Sequence, residues 1–397
     1  MPSTTLADRS FERILLIKLS SIGDVIHTIP LLNALRRRYP AARIDWLSKP
    51  TPAEFIRDLP ALDEVLLYGE NQTEAPQYKW DGVAHFARLI RDHRFLATLS
   101  RLRAARYDLV IDMQGQLKSG FVSMVTGAPV RIGFDRPRKK VWKAEALTLP
   151  PGAMKRSWKG AREGSWLAYT HHVRLPTLAI HAIDRYLLVG NLLGFEPETA
   201  DFSIPVRAQA EARVDALLRE HVGAMSRPPI VIAPGSLWET KRWRPEGFAA
   251  VARHFVARGY PVLIDGAANQ REECRRIAAQ APGAVVLAGL TSLAELAALI
   301  RRSAMVLTND SGPLHLATAL GRPMVAIFGP TNPVWFGPYR RPDALVRAGV
   351  ACSPCNLRDM ARCPYDHACM ASITPERVIE AMEGRLAKAG HSDAAPG

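Results

Sequence analysis

Arg13–Leu19 reads RILLIKL, Ser20–Gly23 reads SSIG, and Asp24–Tyr39 reads DVIHTIPLLNALRRRY. An apolar run of that length bounded by a turn is a strand buried on both faces. The small polar residues after it turn the chain. The third segment carries an apolar helical face and ends on Arg36-Arg37-Arg38, cations suited to a helix C-terminus. Pro30 lies inside that helix and is expected to end or kink its first turn. Strand, turn and helix in this order form the repeating unit of a parallel sheet.

The same rhythm runs along the chain. Arg43–Leu47, Val65–Tyr68 and Tyr107–Met113 (YDLVIDM) read as further strands of the first half. In the second half the strands are Ile230–Ala233, Pro261–Asp265, Val285–Leu287, Met305–Asn309 and Met324–Phe328, with helices starting near Pro245, Asn269, Ser292 and Leu314. Gly194–Pro205, rich in glycine and proline, marks the boundary between the series. The expected fold class is α/β, with two Rossmann-like doubly wound domains, residues 1–198 and 199–397, facing one another across a cleft. A chain of 397 residues has room for two such cores.

Composition narrows the function. A hydrophobic content of 48% with 23% charged residues is globular. No apolar run approaches the roughly 18 residues of a membrane span, and MPSTTLADRSFER has no apolar signal core, so a cytoplasmic protein is expected. Lys and Arg outnumber Asp and Glu by 52 to 38, a net charge of +14. Such an excess suits nucleic acid, an anionic membrane face or a phosphorylated substrate. Arg131–Glu163 concentrates it, with ten cations against Asp135, Glu145 and Glu163, and with Trp142 and Trp158 interleaved. That stretch reads either as a solvated loop or as an anion-binding lip beside an active site.

The familiar phosphate and metal fingerprints are absent. No G-x-G-x-x-G follows the first strand of either half, no G-x-x-x-x-G-K-[ST] occurs, and no histidines are spaced H-E-x-x-H. Two strand-to-helix turns rich in small polar residues stand in their place, where open α/β sheets bind ligands. The first is Ser20-Ser21-Ile22-Gly23-Asp24; Asp24 either caps its helix or faces a ligand. The second is Thr308-Asn309-Asp310-Ser311-Gly312-Pro313-Leu314-His315, whose Ser311, Gly312 and following amides suit a phosphate, with a capped helix as the alternative. A third feature, Ala233-Pro234-Gly235-Ser236 followed by Lys241, Arg242 and Arg244, reads as a diphosphate site or a solvated basic loop.

Four of the five cysteines, Cys352, Cys355, Cys363 and Cys369, crowd the C-terminal region beside His367. Their gaps match no standard zinc finger, so no metal is expected. They read as a structural patch beyond the last strand, remote from every substrate turn. Cys274, alone on a helix, reads as core.

In combination these stretches resemble the glycosyltransferase family 9 heptosyltransferases of lipopolysaccharide biosynthesis. The resemblance runs from Ile14 nearly to Met382. It rests on KLSSIGDVIHTIPLLNALRRRYP (Lys18–Pro40), YDLVIDMQGQLKSG (Tyr107–Gly120), TGAPVRIGFDR (Thr126–Arg136) and HAIDRY (His181–Tyr186) in the first half. In the second it rests on APGSLWETKRW (Ala233–Trp243), TNDSGPLHLATALGRPMVAIFGPTNP (Thr308–Pro333) and CSPC (Cys352–Cys355). The resemblance implies the GT-B fold, with an acceptor-binding N-terminal domain and a nucleotide-sugar-binding C-terminal domain that ends in the cysteine-rich tail. It implies ADP-heptose as donor, Kdo-containing lipid A as acceptor, no cofactor, no nucleic-acid partner, and peripheral contact with the cytoplasmic face of the inner membrane.

Residue by residue, Asp24 matches the family's general base. Ser236, Lys241, Asp310, Ser311, Gly312 and His315 fall in the donor motifs, and Ser21, Gly23, Gln114, Lys118 and Arg136 in the acceptor motifs. After the strand Pro261–Asp265, where some members carry a carboxylate toward the adenosine, this chain has Gly266-Ala267-Ala268-Asn269. The implied reaction is an inverting displacement in which a carboxylate takes the acceptor proton and fixed cations and amides receive the leaving diphosphate. No D-x-D stands at a strand end, in keeping with chemistry that needs no divalent cation. The competing readings are a family 9 transferase using another nucleotide sugar, and a basic nucleic-acid binder. An aromatic content of only 7% disfavours the second.

Overall fold

A computed structural model describes residues 6–68, 91–136, 160–196 and 200–392. They form two compact units that divide between Pro205 and Val206, at the end of the Gly194–Pro205 segment. The first holds a six-stranded sheet of β1 (Arg13–Ile17), β2 (Arg43–Ser48), β3 (Glu64–Leu67), β4 (Leu109–Asp112), β5 (Val130–Phe134) and β6 (His171–Val173). All neighbours pair in parallel, in the order β3-β2-β1-β4-β5-β6. Ile14 to Ile17 are fully buried, because helices cover both faces of a central parallel strand. Ile14 pairs with Ile44 on one side and Leu109 on the other.

The helices of this unit are α1 (Ile22–Ile26), α2 (Ile29–Arg38), α3 (Pro50–Ile56), α4 (His93–Ala104), α5 (Leu117–Val125), α6 (Ala182–Leu187) and α7 (Gly190–Leu193). Asp24–Tyr39, expected as one helix, is two. The chain breaks at His27-Thr28 and resumes with Pro30 in the first turn of α2, where a missing N–H costs nothing. Asp24 therefore sits on a single helical turn.

The second unit repeats the plan. Its strands are β7 (Ile230–Ala233), β8 (Val262–Ile264), β9 (Ala284–Val286), β10 (Met305–Asn309), β11 (Met324–Ile327) and β12 (Leu345–Val346), parallel in the order β12-β11-β10-β7-β8-β9. Around them lie α8 (Ala208–His221), α9 (Pro245–Ala257), α10 (Arg271–Ala279), α11 (Leu293–Arg302), α12 (Gly312–Ala319), α13 (Pro333–Phe336), α14 (Ala368–Ala371) and α15 (Pro375–Ser392). The core gathers Phe248, Phe255, Val262, Ile264, Leu307 and Ile327 with Cys274 and Trp243. The indole Nε1 of Trp243 donates to the Ile373 carbonyl at 3.0 Å, so this tryptophan of the basic loop belongs to the interior.

Three strands escape the sequence pattern. β5 (VRIGF) carries an arginine and a glycine, β6 (HHV) has two histidines in three residues, and β12 has two residues. Arg131–Glu163 thus opens with a sheet strand, while its residues 137–159 lie outside the described ones. The helix expected near Leu314 begins two residues earlier, at Gly312, with Pro313 in its first turn. Among the described residues no helix is long and apolar enough to cross a membrane.

Candidate active site

Strand order decides where ligands can reach each sheet. In the first, successive strands move outward from β1 to β3 and, in the other direction, from β4 to β6. In the second they diverge from β7 and β10. Crossovers on either side of such a reversal run over opposite faces, and a crevice opens at the carboxyl ends of the two central strands. Lys18 to Asp24 follow β1 and Gln114 to Lys118 follow β4. Ser236 to Lys241 follow β7 and Asp310 to His315 follow β10. Each of these segments flanks a reversal.

In the first unit Asp24 is half-buried and held through both oxygens. The Ser21 amide and hydroxyl donate to Oδ2 at 3.2 and 3.1 Å, and the Tyr186 hydroxyl donates to Oδ1 at 3.4 Å. Gly23 is buried inside α1. Tyr186 is in turn tied to Lys18, whose ammonium donates to its hydroxyl and to the Met113 carbonyl, both at 2.9 Å. Lys18 is buried, which lowers an ammonium pKa, but Tyr186, Asp24 and Asp112 outweigh burial and leave the pKa above its ordinary value. The lysine stays charged.

Gln114 anchors the neighbouring loop, accepting from the Leu19 amide at 3.1 Å. Below it, buried Asp112 accepts from the Gln114 and Gly115 amides at 2.9 and 3.1 Å and from the Tyr169 hydroxyl at 2.7 Å. Lys118 keeps other company. Burial pulls its pKa down to about 8, with Lys49 and Arg162 repelling it and Glu163 opposing them. Lys49, at the carboxyl end of β2, is also lowered by burial. The Arg162 amide donates to the Gly115 carbonyl at 2.8 Å, pinning the end of the basic stretch to this turn. Arg136 is exposed, just past the end of β5.

The second unit inverts the pattern. Asp310 is buried, and its Oδ2 meets the Lys241 ammonium at 2.7 Å and the Thr331 hydroxyl at 2.6 Å. His315 Nε2 lies 4.0 Å from Oδ1. Lys241 also stands over the Trp238 ring at 4.4 Å, and Arg358 over the same ring at 4.3 Å. The Ser236 hydroxyl donates to the Asp310 carbonyl at 3.4 Å, while Asn309 donates to the Pro234 carbonyl at 2.6 Å and accepts from the Trp243 amide at 3.2 Å. These bonds lock the β7 and β10 loops together. Ser311 is the residue before α12, with its Oγ 3.0 Å from the Thr308 hydroxyl. Ser236, Lys241, Asp310, Ser311, Gly312 and His315 are thus brought into one cluster, in which Asp310 faces the lysine.

The cysteine-rich segment is not remote. The Thr240 hydroxyl donates to the Leu357 carbonyl at 2.7 Å, and His367 Nε2 pairs with the Thr240 carbonyl at 2.5 Å. With Arg358 on Trp238, it braces the loop that carries Lys241. Its four cysteines are free thiols, and among the described residues no group of three or more His, Cys, Asp or Glu is placed to hold a metal. Burial pushes the Cys369 thiol up to about 12.

Comparison with known proteins gives this arrangement a place. The model of Glycosyltransferase family 9 (heptosyltransferase) matches residues 95–146 and 138–365. The chain belongs to glycosyltransferase family 9. Lipopolysaccharide heptosyltransferase 1 of Pseudomonas aeruginosa is 29% identical over 94% of this chain and 98% of its own length. Among solved structures, the family 9 glycosyltransferase of Veillonella parvula superposes with a TM-score of 0.73 at 23% identity, covering 96% of this chain and 98% of its own. Escherichia coli heptosyltransferase WaaC with ADP superposes with a TM-score of 0.65 at 22% identity, covering 96% and 99%. The fold is GT-B, and this family 9 chain is a glycosyltransferase.

Within that fold the sequence motifs named the loops but missed several groups. Lys18 and Tyr186 lie in the quoted KLSSIGD and HAIDRY stretches, Thr331 in GPTNP. Asp265, at the end of β8, had no signal beyond its strand. Its carboxyl accepts from the Thr291 hydroxyl at 3.0 Å on both oxygens, and burial raises its pKa to about 7. Unfolded, it ionises near 3.8. Between those values the folded state holds a proton that the unfolded state has lost, so stability falls as pH rises across the window. Three pH units correspond to about 4 kcal/mol. Asp265→Asn should flatten that fall, raising unfolding free energy relative to the parent more at pH 8 than at pH 4. Parallel denaturation curves at both pH values would show that Asp265 does not titrate there.

Proposed function

We propose that this family 9 glycosyltransferase transfers heptose from ADP-heptose to the Kdo–lipid A inner core with inversion, Asp24 acting as general base. The observation that carries the reading is that Asp24 and Lys241 each stand at the strand-order reversal of their own sheet. The names of the relatives support the sugar: a lipopolysaccharide heptosyltransferase in P. aeruginosa, and a heptosyltransferase solved with ADP in E. coli. In the first unit the acceptor side would comprise Ser21, Gly23, Gln114, Lys118 and Arg136. In the second the donor side would comprise Ser236, Lys241, Ser311, Gly312 and His315, with Asp310 acting through Lys241.

The chemistry follows. The acceptor hydroxyl attacks the anomeric carbon while Asp24 takes its proton, and the bond from that carbon to the diphosphate oxygen breaks. Displacement from the opposite face inverts the configuration and releases ADP. Hydrogen bonds from Ser21 and Tyr186 fix the Asp24 carboxylate in place, so it works chiefly by position. The single turn of α1 adds little dipole. Negative charge growing on the leaving diphosphate meets Lys241, already fixed by Asp310 and Trp238, and the amides that open α12.

Asp24→Asn is nearly isosteric and should leave ADP affinity and melting temperature near those of the parent while turnover drops about 100- to 10,000-fold. An Asn variant with near-native turnover would make Asp24 a cap and nothing more. Lys241→Ala should weaken ADP binding roughly 10- to 100-fold by calorimetry, the loss of one charge-assisted contact. It should also lower the melting temperature, because buried Asp310 loses the ammonium that faces it at 2.7 Å; unchanged ADP affinity would remove Lys241 from the site. The basic stretch Arg131–Glu163 suits peripheral contact with an anionic membrane face. Retention on anionic vesicles should then fall steeply with salt, and equal retention on neutral vesicles would argue against that contact.

A further inference from the structure

We infer that Tyr186, held by Lys18, is a positioning residue for Asp24, aiming the carboxylate and holding it in its ionised state; this rests on the reading of Asp24 as the base. Donor and acceptor roles in the chain of contacts are forced. An ammonium can only donate, so at 2.9 Å from Lys18 Nζ the Tyr186 oxygen must accept. Its own proton is then directed to Asp24 Oδ1, 3.4 Å away. Lys18 cannot turn elsewhere, because it is buried, donates to the Met113 carbonyl as well, and stands 4.9 Å from the centre of the Tyr186 ring. Its backbone is fixed too, with the Lys18 carbonyl accepting from the Trp46 indole at 3.0 Å.

A buried ammonium with no carboxylate in direct contact is costly, and the negative charges that offset it are Asp24 and Asp112. The dependence runs both ways: Asp24 steadies Lys18 by remaining ionised, and Lys18 favours that ionisation through the phenol. Tyr186 is itself buried and its pKa is raised, so it stays a hydroxyl and keeps the proton it donates. Among the described residues Arg185 on α6 interacts electrostatically with Asp24, and His27, one helical turn on, meets the His181 ring edge-on at 5.2 Å. Asp112, on β4, acts on Lys18. All of these stay in place when only the phenol oxygen is altered.

The test reads the acidic limb of the pH–rate profile with ADP-heptose and Kdo–lipid A. Tyr186→Phe removes the donor and should move that limb upward by about one pH unit, with ADP affinity unchanged. Site-specific replacement of Tyr186 by a fluorotyrosine keeps the ring and strengthens the donor, so the limb should move down. A merely structural role would scale the rate equally at every pH, and coincident limbs in the parent and both variants would overturn the proposal. If Tyr186→Phe fails to fold, the fluorotyrosine variant decides alone. Asp24→Asn is run beside them. A collapsed Asn variant with unmoved limbs refutes only the role of Tyr186, whereas an active Asn variant refutes the base assignment and the inference with it.

Discussion

The reversal of strand order in each sheet is the constraint on which the rest depends. Parallel strands require crossovers, and right-handed crossovers that set out in opposite directions must cover opposite faces of the sheet. Between β1 and β4, and again between β7 and β10, no helix can close the gap at the carboxyl ends. The loops there lean toward a shared crevice in each unit. Ser20 to Asp24 and Asp310 to His315 occupy those positions because the chain leaves a buried strand and enters a helix at that point. Chemistry is located by topology before any side chain is chosen.

The two units then handle charge in opposite senses. In the first, the buried lysine Lys18 bears on the partly exposed carboxylate of Asp24. In the second, the buried ion is the carboxylate of Asp310, with a side chain 3% exposed, and the partner nearer the surface is Lys241, at 15%. A buried charge without a partner is costly, so each buried ion fixes the outer group that neutralises it. The outer group is held in place without being enclosed. A half-buried carboxylate suits proton removal from a hydroxyl, and a partly exposed ammonium suits a diphosphate, so the inversion matches the two halves of a glycosyl transfer.

How much of this can be read from the residues depends on the range of the interaction. RILLIKL announces β1 because a strand covered on both faces needs no alternation. Ser21 and Asp24 are three residues apart, and their mutual hydrogen bonds are within reach of a turn-and-cap reading. Tyr186 is 162 residues from Asp24, and neither periodicity nor spacing could pair them. The split of Asp24–Tyr39 into α1 and α2 was visible only as a proline; where it fell depended on Pro30 fitting the first turn of the second helix. β5 and β6 were hidden because Arg131 and His171 look solvated. Yet Arg131 folds back to donate to the Ala128 and Ala168 carbonyls at 2.6 and 2.8 Å, and Gly133 leaves room for the Tyr169 ring.

The cysteine-rich segment is the plainest case of position overruling sequence distance. Beyond β11 in the chain, it looks like an appendage, and its four thiols draw the eye toward metal or redox chemistry. In the fold its polar backbone and His367 are spent on Thr240, and its Arg358 shares an indole with Lys241. Burial raises the thiols of Cys355 and Cys369, which keeps them protonated and makes them poor nucleophiles at neutral pH. What the segment contributes to the β7 loop is therefore rigidity. A loop that holds a lysine at its strand end is steadied by bracing from outside its own strand, and here the stretch of chain that follows β12 supplies it.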